Sequence, residues 1–165
     1  MVQVRVAGVA LDASQQHVIL LKPLDELPGK GKLLPIWIGS QEATSILIAI
    51  EGAAAPRPLA HDLMRSMLDT LGAGVERVEV TKIDDGTFYA EIGLTTSSGD
   101  RHVDARPSDA VALASRVGAP IWVADAVMEE AGVPDVFTTA DDAEESVDEF
   151  KKFLDDVEPD DFLDG

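Results

Sequence analysis

The sequence predicts an α+β fold: a three-strand-plus-helix unit occurring twice, forming mixed or antiparallel sheet with flanking helices. Three observations support this. Apolar residues alternate with period 2 in two separate stretches, at Val2, Val4 and Val6 and again across 75–83. Small-residue helical patterns close each stretch of strands. The segment "SQEATSILIAI" can be laid on "PSDAVALASRV" at an offset of 67, so that Glu42-Ala43 matches Asp109-Ala110 and suggests an internal duplication.

In chain order, the first strand runs from Val2 through Val9 and Leu11, and "HVILLK" (His17 to Lys22) pairs with it as a hairpin. After the loop "PLDELPGKGK", "LLPIWI" (Leu33 to Ile38) reads as a third strand, with Pro35 acceptable only at an edge or bulge. Gly39 and Ser40 open a helix over about 40–50 that Gly52 ends as a C-cap. Beyond "AAAPRP", Leu59, Leu63, Met67 and Leu71 recur at helical spacing, which predicts an amphipathic helix over 59–71 with this stripe facing the core. "VERVEVTKI", the Asp85-Gly86 turn and "TFYAEIGLTT" form a hairpin. "SSGD" turns into a short strand over Arg101 to Asp104, and Pro107 starts a helix over 107–117. Trp37 and Trp122 sit in the strand-like runs "PIWIG" and "PIWVA", as core or interface residues.

The chain divides at about residue 132. Of its net charge of −18, residues 133–165 hold 13 Asp/Glu against Lys151 and Lys152, which leaves −7 for residues 1–132. Ala143, Val147, Phe150, Leu154 and Val157 form one apolar stripe on an acidic helix that starts near Thr138 and Thr139, and "EPDDFLDG" reads as disordered tail. This segment serves either as a solubilising appendage or as a nucleic-acid mimic covering a groove. The 45% hydrophobic and 27% charged composition is that of a soluble globular protein. No run approaches the roughly 18 apolar residues of a membrane span, and Arg5 interrupts the N-terminal pattern where a signal peptide is continuously apolar, so the expected location is cytoplasmic. Zero cysteines exclude disulfides, thiolate nucleophiles and cysteine zinc sites. The acidic balance argues against a duplex-binding protein built on clustered Lys/Arg, but not against an enzyme that grips phosphate locally.

Chemistry-bearing residues cluster at helix starts. Arg57-Pro58 and Arg106-Pro107 each put a guanidinium where backbone N–H groups are free. Each arginine either holds an anion there or pairs with nearby Asp62, Asp104 or Asp109. His61 lies beside Asp62 at the boundary of the apolar stripe, where an imidazole is usable as a base or metal ligand. Glu42 and Asp109 occupy first turns of related helices, as helix-start acids or as holders of a divalent cation such as Mg or Mn, with Asp62 as a third metal candidate. Asp84, Asp85 and Asp104 are further acids, although Asp85 before Gly86 is more simply a turn residue. No Walker loop, GxGxxG, GxSxG or HExxH motif is present.

The motifs "LPIWIGSQEA", "RPLAHDL", "DDGTFYAEI" and "DARPSDAVALA", in this order and at these separations, resemble the bifunctional nuclease family over about Val2 to Ala131. The resemblance implies a nuclease acting on DNA and RNA, and a wedge-shaped homodimer whose groove holds the active site. Carried over by motif, the site residues are Glu42, Arg57, His61, Asp62, Arg106, Ser108 and Asp109, with Arg57, Arg106 and Ser108 on the phosphate. Ala60 departs from the threonine that this resemblance leads one to expect before His61-Asp62. The first expectation is therefore a phosphodiesterase of low sequence specificity. The alternative is a non-enzymatic homo-oligomeric module that uses the same groove for a small anion or a protein partner, which the net charge favours.

Overall fold

A computed structural model describes residues 1–136. The expected acidic helix and tail lie outside the described residues. Two antiparallel meanders, β1 (Val2–Leu11), β2 (His17–Pro23), β3 (Lys32–Ile38) and β4 (Gly74–Asp84), β5 (Thr87–Thr96), β6 (Gly99–Ala105), are each followed by a helix, α1 (Ser40–Glu51) and α3 (Pro107–Val117). Helix α2 (Ala60–Thr70) lies between the two units in the chain, and β7 (Ile121–Val123), α4 (Asp125–Ala131) and β8 (Val133–Pro134) follow them. The eight strands form one sheet in the order β6-β5-β4-β7-β1-β2-β3-β8. Short β7 joins the two meanders, parallel to β4 and antiparallel to β1, which makes the sheet mixed.

Local sequence accounts for most boundaries. Asp85 (φ 50°) and Gly86 (φ 75°) both take positive φ, as a two-residue turn matched to strand twist requires. Gly52 and Gly118 end α1 and α3 in the left-handed region, and Pro107 opens α3 where its missing N–H costs nothing. Pro35 lies past the short β8 pairing, where β3 is an edge strand. Strand β2 is buried on both faces, which is why it reads as an apolar run without alternation. Its Ile19 and Leu21 join the main core, while Val18 and Leu20 pack with Ala10 and Trp37. The indole N–H of Trp37 donates to Asp12 at 3.0 Å. Lys22, 1% exposed, meets Asp135 at 2.8 Å, an ion pair that ties β2 to the end of the described chain.

Helices α1 and α3 pack on each other and over the sheet through small side chains. Ala43 and Ala110, equivalent in the duplication, are both buried, as are their equivalent neighbours Ile46 and Leu113. Truncating Ile46 to Ala would cost about 2–5 kcal/mol through lost transfer energy and a residual cavity. These contacts set the first turns of α1 and α3 side by side.

One sequence expectation is corrected at α2. The helix begins at Ala60 with Leu59 as N-cap and Pro58 just ahead of it. The Asp62 carboxylate accepts the Leu59 N–H at 2.9 Å, and this reach-back fixes the start. The stripe of Leu63, Met67 and Leu71 faces outward, 54%, 56% and 77% exposed, and His61 is the buried residue of the helix. Polar contacts cause this orientation: His61 meets Asp109, Arg65 donates to the Arg116 carbonyl at 3.0 Å, and Leu68 follows on the same inward face.

Candidate active site

Three helix starts meet at one place, which Arg116 reaches from the last turn of α3. Helix α1 contributes Glu42 and Ser45, α2 contributes His61 and Asp62, and α3 contributes Asp109 and Arg116, with Arg106 as its N-cap. A continuous chain of hydrogen bonds joins them. Arg116 donates to Asp62 at 2.7 Å and to Ser45 Oγ at 2.9 Å. Ser45 Oγ lies 2.7 Å from His61 Nδ1, and His61 Nε2 lies 2.8 Å from Asp109 Oδ1. Arg106 donates to the other oxygen of Asp109 at 2.9 Å and to Glu42 at 3.0 Å.

A carboxylate only accepts, so His61 Nε2 donates to Asp109, and the Ser45 hydroxyl, which accepts from Arg116, pairs with His61 Nδ1. His61 and Ser45 are buried, whereas the Arg106 side chain is 65% exposed. Asp109 and then Glu42 hold the Arg106 guanidinium pKa above its ordinary value. The Leu59 N–H and then Arg116 hold the Asp62 carboxyl below the ordinary carboxylate range. Gly39 has an ordinary φ of −72°, and a Cβ there would displace the Glu42 carboxylate.

These groups wall an open pocket of about 590 Å³, lined by Glu42, Ser45, His61, Met64, Arg106 and Asp109 among others. Of the residues expected from the sequence, the structure brings Glu42, His61, Arg106 and Asp109 together here. Asp62 is turned away to Arg116 and Leu59, and does not line the pocket. Arg57 is exposed ahead of α2, outside the pocket and without an ion-pair partner among the described residues. Ser108 is buried and lines a neighbouring depression. Asp84 and Asp85 lie at the β4–β5 turn and Asp104 on exposed β6, none of them in the pocket.

The divalent-cation expectation does not fit this arrangement. The Arg106 guanidinium stands between the two carboxylates that would hold the ion, and the third candidate, Asp62, is paired with Arg116. Among the described residues no three His, Asp or Glu side chains are grouped to bind a metal.

Sequence reasoning missed Ser45 and Arg116. Ser45 falls where the second unit has Ala112, a hydroxyl in an otherwise apolar buried face, and that mismatch within the duplication was its signal. Arg116 in the last turn of α3 reads as an ordinary complement to the helix dipole, which hides its reach to Asp62 and Ser45.

A family model described as the Bifunctional nuclease domain matches residues 20–135. An uncharacterized Mycobacterium tuberculosis protein is 43% identical over 167 residues, covering 97% of both chains. Bifunctional nuclease 1 of Oryza sativa subsp. japonica is 28% identical over 143 residues, which is 85% of this chain and 42% of that protein. Bifunctional nuclease 1 of Arabidopsis thaliana is 31% identical over 115 residues, 68% of this chain and 34% of its own length. The chain thus spans less than half of these plant relatives.

Proposed function

Because this chain belongs to the bifunctional nuclease domain family, we propose that the pocket where α1, α2 and α3 begin hydrolyses phosphodiester bonds of DNA and RNA with low sequence preference. One observation carries the proposal: His61 is held at both ring nitrogens, by Ser45 and Asp109, in the wall of a pocket whose exposed cation is Arg106. A planar guanidinium matches two phosphate oxygens, so an entering phosphodiester competes for Arg106 with Glu42 and Asp109. Water attacks phosphorus while its proton passes through Ser45 Oγ to His61 Nδ1. Asp109 stabilises the imidazolium that forms. The phosphorus–oxygen ester bond breaks and the leaving sugar oxygen takes a proton from solvent, while Arg106 stabilises the charge that grows on the phosphoryl oxygens. Asp62 acts at one remove, by holding Arg116 on Ser45, and Arg57 contacts the strand outside the pocket.

The exposed stripe of Leu63, Met67 and Leu71 supports a homodimer, since a contiguous apolar helix face on a folded domain marks an interaction surface. A second copy would cover it through the same face of its own α2.

The test is cleavage of labelled single-stranded DNA and RNA by highly purified protein, with and without Mg²⁺ or Mn²⁺, alongside an Asp109→Asn variant purified identically. Both substrates should be cut by the wild type, and the variant should lose most of the rate. No cleavage of either substrate contradicts the proposal and leaves the non-enzymatic module.

A further inference from the structure

We propose that a second depression, next to the pocket and sharing Arg106 with it, is a nucleotide-binding subsite that takes a phosphate at Ser108 and Arg106 and a base against Trp37 and Phe88. It has a volume of about 670 Å³ and lies between the β1–β2 turn, the β4–β5 turn and the starts of α1 and α3. This is within the size range of small-ligand sites. The choice of a nucleotide as the occupant rests on the nuclease reading above.

Charge is the first argument. The chain carries 31 Asp/Glu, yet among the described residues no Asp or Glu lines this depression, while Arg106, which also meets Glu42 and Asp109, does. The N-caps of both α1 and α3, Gly39 and Arg106, also line it, and neither helix is capped by a side chain. Free N–H groups and the positive ends of two helix dipoles favour an anion there.

Ser108 supplies the second, independent argument. It is 6% exposed, lines the depression and makes no hydrogen bond through its side chain among the described residues. No fully buried side-chain oxygen among those residues lacks a partner, so the Ser108 hydroxyl opens onto the depression. A hydroxyl that opens onto the depression without a protein partner is free to donate its proton to a ligand oxygen.

Two aromatic residues, Trp37 and Phe88, share the remaining wall with Gln15, Gln16, Ile38 and Thr87. Trp37 is fixed by the hydrogen bond from its indole to Asp12, so its ring is presented without loss of side-chain freedom on binding. Phe88 and Trp37 are both half-buried and line the same depression. Base stacking on such rings is tolerant of sequence, as a nuclease of low specificity requires. Because Arg106 lines both cavities, the subsite holds the nucleotide next to the scissile phosphate of one bound strand.

The experiment reads binding without cleavage. In a Trp122→Phe background Trp37 is the remaining tryptophan, and its fluorescence is followed during titration with thymidine 5′-monophosphate, thymidine and a phosphorothioate-linked, 5′-phosphorylated thymidine tetranucleotide. The monophosphate should change Trp37 fluorescence saturably and bind at least about 10-fold more tightly than thymidine, as expected for a charge-assisted phosphate contact. Ser108→Ala should remove most of that difference, Phe88→Ala should weaken all three ligands, and the tetranucleotide should bind more tightly than the monophosphate. Equal affinities for monophosphate and thymidine, or no effect of Ser108→Ala, overturn the phosphate assignment. A mononucleotide that binds as tightly as the strand overturns the placement of a strand here. Failure to bind any of the ligands while cleavage persists sinks this subsite and leaves the nuclease reading standing.

Discussion

Glu42 and Asp109 stand 67 residues apart, at the same first-turn position of two repeated units, and one guanidinium holds both: Arg106 lies 3.0 Å from Glu42 and 2.9 Å from Asp109. The duplication thus produces paired acids, and the second unit supplies the cation that joins them. Lysine keeps the charge at this position but cannot donate from a planar fork to two carboxylates or to two phosphate oxygens. Arg106→Lys should lower kcat/KM for strand cleavage by about 100–1,000-fold, the usual cost of one lost transition-state donor. A thermal melt on the same preparation checks that the fold is kept, and an unchanged rate would show that Arg106 serves only to join α1 and α3.

Ser45 connects Arg116 to His61. Ser45→Ala removes the proton relay and frees the imidazole to rotate, while the small helical side chain preserves packing. The rate should fall by at least about 10-fold, the equivalent of one hydrogen bond of about 1.4 kcal/mol. Its pH–rate profile should change shape on the limb that reports the base, a change that a purely structural serine would not produce.

The Asp62–Arg116 pair makes stability depend on pH. The folded carboxyl titrates below its ordinary range because Leu59 N–H and Arg116 donate to it, so the unfolded chain binds more protons there. Its contribution is complete above the ordinary carboxylate range and is lost as pH falls through the folded value. The gap in Tm between wild type and Asp62→Asn should be widest near neutrality and close below about pH 4. A gap that stays constant down to pH 3 would mean that the pair adds no charge-dependent stability.

Helix α2 tests the assembly. Met67→Glu or Leu71→Glu should convert a species of twice the 17.6 kDa chain mass to one of a single chain by light scattering. The melting transition of the separated chain should move little, because substitutions at exposed sites stay within about 0.5 kcal/mol. A wild type that runs as a monomer contradicts the dimer.

Much of the fold was legible because its signals are local. The Asp85-Gly86 turn, Pro107 at the start of α3 and Gly52 at the end of α1 each encode their conformation in one or two residues. The position of β7 between β4 and β1 was not legible, since three residues carry no information about which strands they will pair with. At α2 the apolar period was read correctly as a helix and wrongly as its inward face. The residues that dock it, His61 and Arg65, act through partners 48 and 51 positions away in the chain. The same limit explains the site: Glu42, His61, Arg106 and Asp109 were visible as residue types at helix starts. Arg116 was not, because its role depends on α1 and α2 converging on α3.

The most direct test compares single-turnover cleavage of one labelled oligonucleotide by wild type and His61→Gln, purified side by side and matched for melting temperature. Loss of a positioned acid–base group should slow the variant by about 100 to 10,000-fold. Equal rates in the two preparations would contradict the account, and would place the cleavage outside the pocket built on Ser45, His61 and Asp109.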